Sequence, residues 1–197
     1  MKRGFKNITG VILVCISSLL LQCSQQDKAA QNNSPSVIPK PTTVAYSSGY
    51  FTIDKNTTIA INSEELAEAA NYLTNMIAEA SSFAPEIKKQ NGNEEHHTIV
   101  LQLVKQTGNE QNNKEAYSLK VTTDQVIISA SGSSGIFYGI QTLRQLLPAA
   151  IEVKNKKTES WQVPVLSIED NPQFAWRGMH LDVSRHFFSV EFVKTFI

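Results

Sequence analysis

The run Thr98-Ile99-Val100-Leu101-Gln102-Leu103-Val104 is apolar at nearly every position and has the length of a strand. A strand without polar alternation is covered on both faces, so the run predicts a central strand. The segments around it supply neighbours. Thr43–Tyr46, Tyr50–Ile53 and Thr57–Ile61 are rich in Thr, Val, Ile or aromatics and read as strands. Asn62 and Glu65 have capping-box spacing, and Leu66, Ala69, Ala70, Leu73, Met76, Ile77 and Ala80 then recur at helical period, which predicts a helix ending near Ser81. A polar stretch, Lys88–His97, precedes the central run, and a loop, Gln106–Lys114, follows it. Tyr117–Val121 and Val126–Ala130, separated by Thr122-Thr123-Asp124-Gln125, predict a hairpin. Ser131–Gly135 leads into a helix carrying Ile136, Ile140, Leu143 and Leu147, stopped by Pro148. The expectation is an α+β unit, a small sheet with two helices, spanning residues 37–168.

Charge excludes some partners. The 18 basic residues equal the 18 acidic ones, with no strong run of either sign, so there is no electrostatic footprint for nucleic acid or for an acidic membrane surface. The first residues read differently from the rest. Lys2, Arg3 and Lys6 precede an apolar run from Ile8 to Leu21, the pattern of a secretory leader. That run, interrupted by Thr9, Gly10, Ser17 and Ser18, is short of the roughly 20 apolar residues of a membrane span, so a transmembrane anchor is the weaker reading. Leu20-Leu21-Gln22-Cys23 resembles a bacterial lipobox, with Gln22 in place of the usual small residue. Residues 1–22 are therefore expected to be a lipoprotein signal peptide, with Cys23 lipidated. The expected location is exported and lipid-anchored to a membrane, periplasmic or at the cell surface. Residues 23–36 are polar and low in complexity, a flexible tether, after which Pro39 and Pro41 stiffen the chain. Cys15, the only other cysteine, lies in the leader, so the mature domain is left without an internal disulfide.

Beyond Pro148 the pattern changes. Ala149–Gln162 is a polar, lysine-bearing connector and Val163–Ile168 a short strand. Asp170-Asn171-Pro172 is turn chemistry. Arg177–Asp182 then reads as a strand and Ser189–Ile197 as the start of a helix, with Ser189 as N-cap and Glu191 in the first turn. A lone strand-helix unit cannot cover its own apolar face, so residues 169–197 read as the beginning of a second domain.

Several motifs have ordinary explanations. Gly132-Ser133-Ser134-Gly135-Ile136-Phe137-Tyr138-Gly139 stands between strand and helix, where phosphate-binding loops also stand. It lacks the Lys-Ser/Thr ending of a P-loop and does not fit G-x-G-x-x-G, so it reads as a tight turn that lets the helix pack closely. His96-His97 are adjacent, which turns their rings apart in an extended segment, with no ligand partner nearby at metal spacing; no metal or cofactor is called for. Asn32-Asn33-Ser34 and Asn56-Thr57-Thr58 match the glycosylation sequon and read as surface polar residues.

The tract Phe174-Ala175-Trp176-Arg177-Gly178-Met179-His180-Leu181-Asp182-Val183-Ser184-Arg185-His186-Phe187-Phe188 is different in kind. Arg177, His180, Asp182, Arg185 and His186 crowd an otherwise apolar segment. Charges taken out of water require partners. Two readings stand side by side: a buried structural ion network, or a polar ligand pocket in which an arginine fork bridges neighbouring sugar hydroxyls.

At these residues the chain resembles the β-N-acetylhexosaminidases of glycoside hydrolase family 20, carried by Trp176-Arg177-Gly178, Leu181–Phe188 and Glu191-Phe192-Val193. Gly135–Leu147 is similar to the last helix of that family's small N-terminal domain. The resemblance covers Ile38–Ile197; Ala175 and Ser189 stand where the family often has proline. It implies a (β/α)₈ TIM barrel following the α+β domain. Such barrels take roughly 250 residues, so 169–197 would be a truncated start. It implies removal of terminal non-reducing N-acetyl-D-hexosamine residues from glycans. In the implied retaining reaction the substrate's acetamido oxygen attacks the anomeric carbon, a glutamic acid protonates the leaving oxygen and the preceding aspartate orients the acetamide. No Asp-Glu dipeptide occurs in the 197 residues, and Glu169-Asp170 is the reverse order, so no catalytic residue is assigned in this chain and the fragment is expected to be inactive. By resemblance Arg177 is the substrate-binding residue, with Asp182, Arg185 and His186 in support. Barrel sites lie at the C-terminal ends of strands, which favours Asp182–His186, but arginine is long enough to reach along the barrel interior, so Arg177 stays first. A noncatalytic carbohydrate-binding or docking lipoprotein remains the alternative; another glycosidase family is disfavoured by the Arg177 tract.

Overall fold

The computed structural model describes residues 37–196 apart from 91–95, 106–112, 155, 159 and 175. The expected leader, the tether, Cys15, Cys23 and the Asn32 sequon lie outside the described residues. Seven strands form one sheet: β1 (Thr43–Asp54), β2 (Thr58–Ile61), β3 (Glu86–Lys89), β4 (Thr98–Leu103), β5 (Tyr117–Val121), β6 (Gln125–Ala130) and β7 (Ser160–Asp170). Their order is β1-β7-β5-β6-β4-β2-β3. β3, β2, β4 and β6 are mutually parallel, whereas β6-β5, β5-β7 and β7-β1 are antiparallel. The apolar run at 98–103 is thus an interior strand between β2 and β6.

Register explains where the core lies. Ile61, Leu101, Ile128, Leu119, Ile168 and Val44 are paired in succession across six strands. Directly paired residues point to one face. Two helices cover it: α1 (Ala67–Ala80) over β2 and β3, and α2 (Ser133–Leu146) over β4 to β7, in contact with each other. The α1 stripe buries Leu66, Ala70, Leu73, Ile77 and Ala80, and α2 buries Ile136, Ile140 and Leu143. At Gly139 an added Cβ would overlap Ile128 Cγ2, which is how closely α2 lies on β6. On the opposite face the paired row Ala60, Val100, Ile127, Lys120 and Ser167 passes from small and apolar to exposed and polar.

Local details depart from the sequence reading in four places. The two strands expected at Thr43–Tyr46 and Tyr50–Ile53 are one strand with a register shift between Tyr46 and Tyr50, where Gly49 has φ 107°. A left-handed residue inside a bulge suits glycine, because no Cβ meets the backbone there. The helix cap is Ser63, whose Oγ accepts from the Glu65 N–H at 3.3 Å, and a short 3₁₀ turn, Glu64–Leu66, precedes α1. Asn62 instead stitches strands together. Its Nδ2 donates to Leu103 O and its Oδ1 accepts from Leu103 N, both at 2.9 Å. β3 overlaps the start of the polar stretch expected at Lys88–His97, and an edge strand of Glu-Ile-Lys-Lys carries a single apolar residue. β7 begins at Ser160, within the expected connector, because Trp161 is 3% exposed and its indole N–H donates to Ser81 Oγ at 2.6 Å.

Thr57, the middle residue of the second sequon, is 1% exposed rather than a surface residue. Its Oγ1 accepts from the Asp54 N–H at 2.9 Å and lies 3.0 Å from His97 Nε2. His97 Nε2 is also 2.9 Å from Asp54 Oδ1, and His96 Nδ1 is 2.6 Å from Asp124 Oδ2. The adjacent histidines thus reach two different aspartates and close the N-terminal ends of β2, β4 and β6. Burial works against ionised Asp54, yet the Asn56 N–H and the His97 ring hold its carboxyl below the usual range.

Candidate functional site

The tract leaves the sheet from the end of β7, and side chains fix its departure. Asp170 Oδ1 accepts from Thr42 N at 3.1 Å, Thr42 Oγ1 at 3.2 Å and Asn171 N at 3.0 Å. Asn113 Nδ2 donates to Asn171 Oδ1 and, at 3.4 Å, to Pro172 O. The chain is therefore held to the small domain immediately before Phe174.

Arg177 is the next anchor. Its guanidinium donates to Glu115 Oε2 at 2.9 Å, to Tyr138 OH at 3.2 Å and to the Phe174 carbonyl oxygen, and it lies over the Tyr138 ring, 5.6 Å from the centroid. The Glu115 carboxylate raises the Arg177 pKa further above its usual value. Three acceptors and an aromatic face occupy this cation, all of them protein groups. Glu115 lies in the segment that enters β5, and Tyr138 is on the second turn of α2.

Five to nine residues on, the remaining candidates stand close together. Asp182 Oδ1 accepts from Ser184 Oγ at 2.8 Å, Ser184 N at 2.9 Å and Arg185 N at 3.3 Å, and these bonds lower the Asp182 pKa. Its second oxygen is 3.4 Å from Arg185 Nε. Asp182 thereby shapes the turn that presents Arg185, whose side chain is 84% exposed, and His186, which is also exposed. The structure brings Asp182, Arg185 and His186 to one turn and places Arg177 against the small domain.

The strand expected at Arg177–Asp182 is not formed. A strand exists through its backbone partners, and no described residue pairs with this stretch. The expected helix follows as α3 (Val190–Phe196). Ser189 Oγ accepts from Phe192 N at 3.2 Å, the cap its sequence position foretold, and Phe188 stacks on Phe192 at 4.5 Å. Trp176 and Phe187 are more than 90% exposed, and Met179, Val183 and Val190 are exposed as well. The charges of the tract are not part of a buried ion network among the described residues.

Two other features belong to the scaffold. The Gly132–Gly139 turn works by close packing: a Cβ at Gly135 would overlap the Ala116 carbonyl oxygen and sit 2.7 Å from Ala130 Cβ. A hollow of about 740 Å³ opens beside β5 and the end of β7, lined in part by Asn113, Ser129, Glu169 and Asp170, and none of the four tract candidates lines it. Sequence reasoning missed Glu115 and Tyr138. Tyr138 was visible only as a member of a helix motif, and Glu115 as one acid in a polar loop. Their meeting with Arg177 joins residues 62 and 39 positions apart.

Comparison with known proteins places these elements in a family. Residues 34–171 match Glycosyl hydrolase family 20, domain 2, and residues 174–197 match Glycosyl hydrolase family 20, catalytic domain. A β-hexosaminidase of Porphyromonas gingivalis is 33% identical over 98% of this chain and 25% of its own length. Among solved structures, the family 20 β-N-acetylhexosaminidase of Streptomyces coelicolor A3(2) superposes with a TM-score of 0.69 at 36% identity, covering 82% of this chain and 31% of that one. A mutant Streptomyces plicatus β-hexosaminidase in complex with product (GlcNAc) superposes with a TM-score of 0.67 at 34% identity, with the same coverage. The chain thus spans about a quarter to a third of the length of these relatives. With its α+β sheet domain and the first part of the catalytic domain in family order, the chain belongs to glycosyl hydrolase family 20.

Proposed function

We propose that this chain is the N-terminal part of a β-N-acetylhexosaminidase that removes terminal non-reducing N-acetyl-D-hexosamine residues from glycans by substrate-assisted, retaining hydrolysis. The observation that carries this reading is the order of the matches: the sheet domain at 34–171 is followed directly by the tract at 174–197 that begins the catalytic domain. The 197 residues by themselves are expected not to turn substrate over, since they contain no Asp-Glu pair to orient the acetamide and donate the proton.

Within the tract, sugar recognition is assigned to Arg177, with Asp182, Arg185 and His186 in support. Arg177 is the cation that the family resemblance points to, and its guanidinium, which here meets Glu115, Tyr138 and Phe174, supplies a donor fork for vicinal hydroxyls. Arg185 stands beside Asp182 on the exposed turn. The place of that turn at the far end of the tract fits the C-terminal location of barrel active sites and suits its supporting role. Export and lipid attachment through Cys23 complete the proposal, supported by the basic start, the apolar run and the lipobox-like Leu20–Cys23.

The test is substrate discrimination by the intact gene product that contains these residues. A chromogenic N-acetyl-β-D-glucosaminide should be hydrolysed with retention of the β-anomer, and the corresponding β-D-glucoside, which lacks the acetamide, should not. Equal hydrolysis of both would remove substrate assistance, and hydrolysis of neither would remove the enzyme reading.

A further inference from the structure

The chain enters and leaves the small domain at one place. The entering segment, Ile38–Thr42, is fastened at both ends. At its start Ile38 N donates to Gln145 Oε1 at 2.8 Å and Gln145 Nε2 donates back to Ile38 O at 2.9 Å, so one side chain of α2 holds both backbone groups of that residue. At its end Thr42 gives Asp170 Oδ1 its backbone N–H at 3.1 Å and its hydroxyl at 3.2 Å. Between the two fastenings Pro41 is buried. The same Asp170 oxygen accepts from Asn171 N at 3.0 Å, the first residue after β7. Hydrogen bonds from N–H groups to a carboxylate belong to the stronger class. Asn113 holds the exit from the other side. Its Nδ2 donates to Asn171 Oδ1 and Pro172 O, while its own Oδ1 accepts from Glu115 N at 3.0 Å and its carbonyl oxygen from Ala116 N at 3.2 Å and Ser131 Oγ at 3.4 Å.

These anchors stand at the domain boundary, since only residues 172 and 173 separate the two family matches. A free linker there would leave relative motion of the domains as the default. From the geometry we infer that Asp170 and Asn113 are positioning residues. They make the exit from the small domain a fixed joint, tied to the entering segment, so that the tract at 174–188 sets out in one direction. They act through that tract, which carries Arg177. The consequence for catalysis rests on the enzyme reading above; the joint itself does not.

Amide hydrogen exchange in the 197-residue chain, followed by NMR, reads the joint directly, because the N–H groups of Thr42 and Asn171 share one acceptor oxygen. Asp170→Ala should speed exchange at both amides about tenfold and leave those of β4 as in the wild type, while Asp170→Asn, which keeps an acceptor oxygen, should hold both within about threefold. If Asp170→Ala fails to fold by circular dichroism, Asp170→Glu, which displaces the carboxylate by one methylene, should speed both amides. A change at neither amide, or at one alone, would overturn the joint. In the intact gene product, Asp170→Ala and Asn113→Asp, the second of which removes only the donor to Asn171 and Pro172, should each lower kcat/KM for the chromogenic N-acetylglucosaminide about tenfold, with Asp170→Asn within about threefold of wild type. Thr142→Val removes the buried hydrogen bond to Tyr117 and should lower the thermal midpoint with kcat/KM unchanged. Freed amides with unchanged kcat/KM, or an equal loss of kcat/KM in Thr142→Val, would overturn the positioning role. Since the exchange measurement involves no glycan, its failure and the failure of the enzyme reading are separate results.

Discussion

Tyr117 opens β5 with its ring 6% exposed and its hydroxyl 2.6 Å from Thr142 Oγ1 on α2, a polar contact inside the helix-sheet interface. Burial pushes the phenol pKa up to about 12. A raised folded-state pKa contributes stability that is complete below the unfolded value near 10 and is lost as pH rises through the folded one. Thermal unfolding between pH 9 and pH 12 should therefore show a falling midpoint, and Tyr117→Phe should remove the part of that fall due to this group. At neutral pH the same variant should cost about 1 kcal/mol by denaturant titration, the net worth of a buried hydrogen bond. Pairings of this kind are where sequence reading stops. Tyr117, Thr142, His97 and Asp54 are each visible as residue types, but nothing in their local pattern says which acceptor stands across the fold.

Periodic elements were legible where burial is one-sided and regular. The stripes of α1 and α2 and the apolar run of β4 follow from repeat spacing alone, because each buries one continuous apolar surface. β3 and the beginning of β7 were not, because a polar edge strand and a lone buried tryptophan after lysines carry almost no period. The tract at Arg177–Asp182 fails as a strand for a third reason: strand-like composition needs a partner backbone, and the described sheet offers it none. Glycine positions separate packing from mere turn chemistry. Gly135→Ala places a methyl group against backbone carbonyl oxygen that cannot move aside and should cost about 2 kcal/mol in denaturant melts. Gly178→Ala meets nothing within 4 Å and should change the midpoint little. Comparable losses at both positions would contradict the close seating of α2.

At the scale of the whole chain, one mixed sheet under two helices delivers a charged tract to a defined point on its surface. The α+β domain was readable from alternation of strand and helix signals, and the family from the residues of the tract itself. The resemblance gives Arg177 to substrate and Arg185 to support, but what surrounds each arginine was not readable from the letters. Arg177 faces Glu115 and Tyr138, whereas Arg185 stands on the turn built by Asp182. The most direct measurement is kcat/KM for a chromogenic N-acetyl-β-D-glucosaminide with the intact gene product and its Arg185→Ala and Arg177→Ala variants. Loss of a charged fork that binds substrate is worth about 1.5–3 kcal/mol, roughly 10- to 100-fold. Arg177→Ala should reach the upper end of that range, and Arg185→Ala, in support, should fall near tenfold. The reverse order, with Arg185→Ala the more damaging and Arg177→Ala near wild type, would contradict the account.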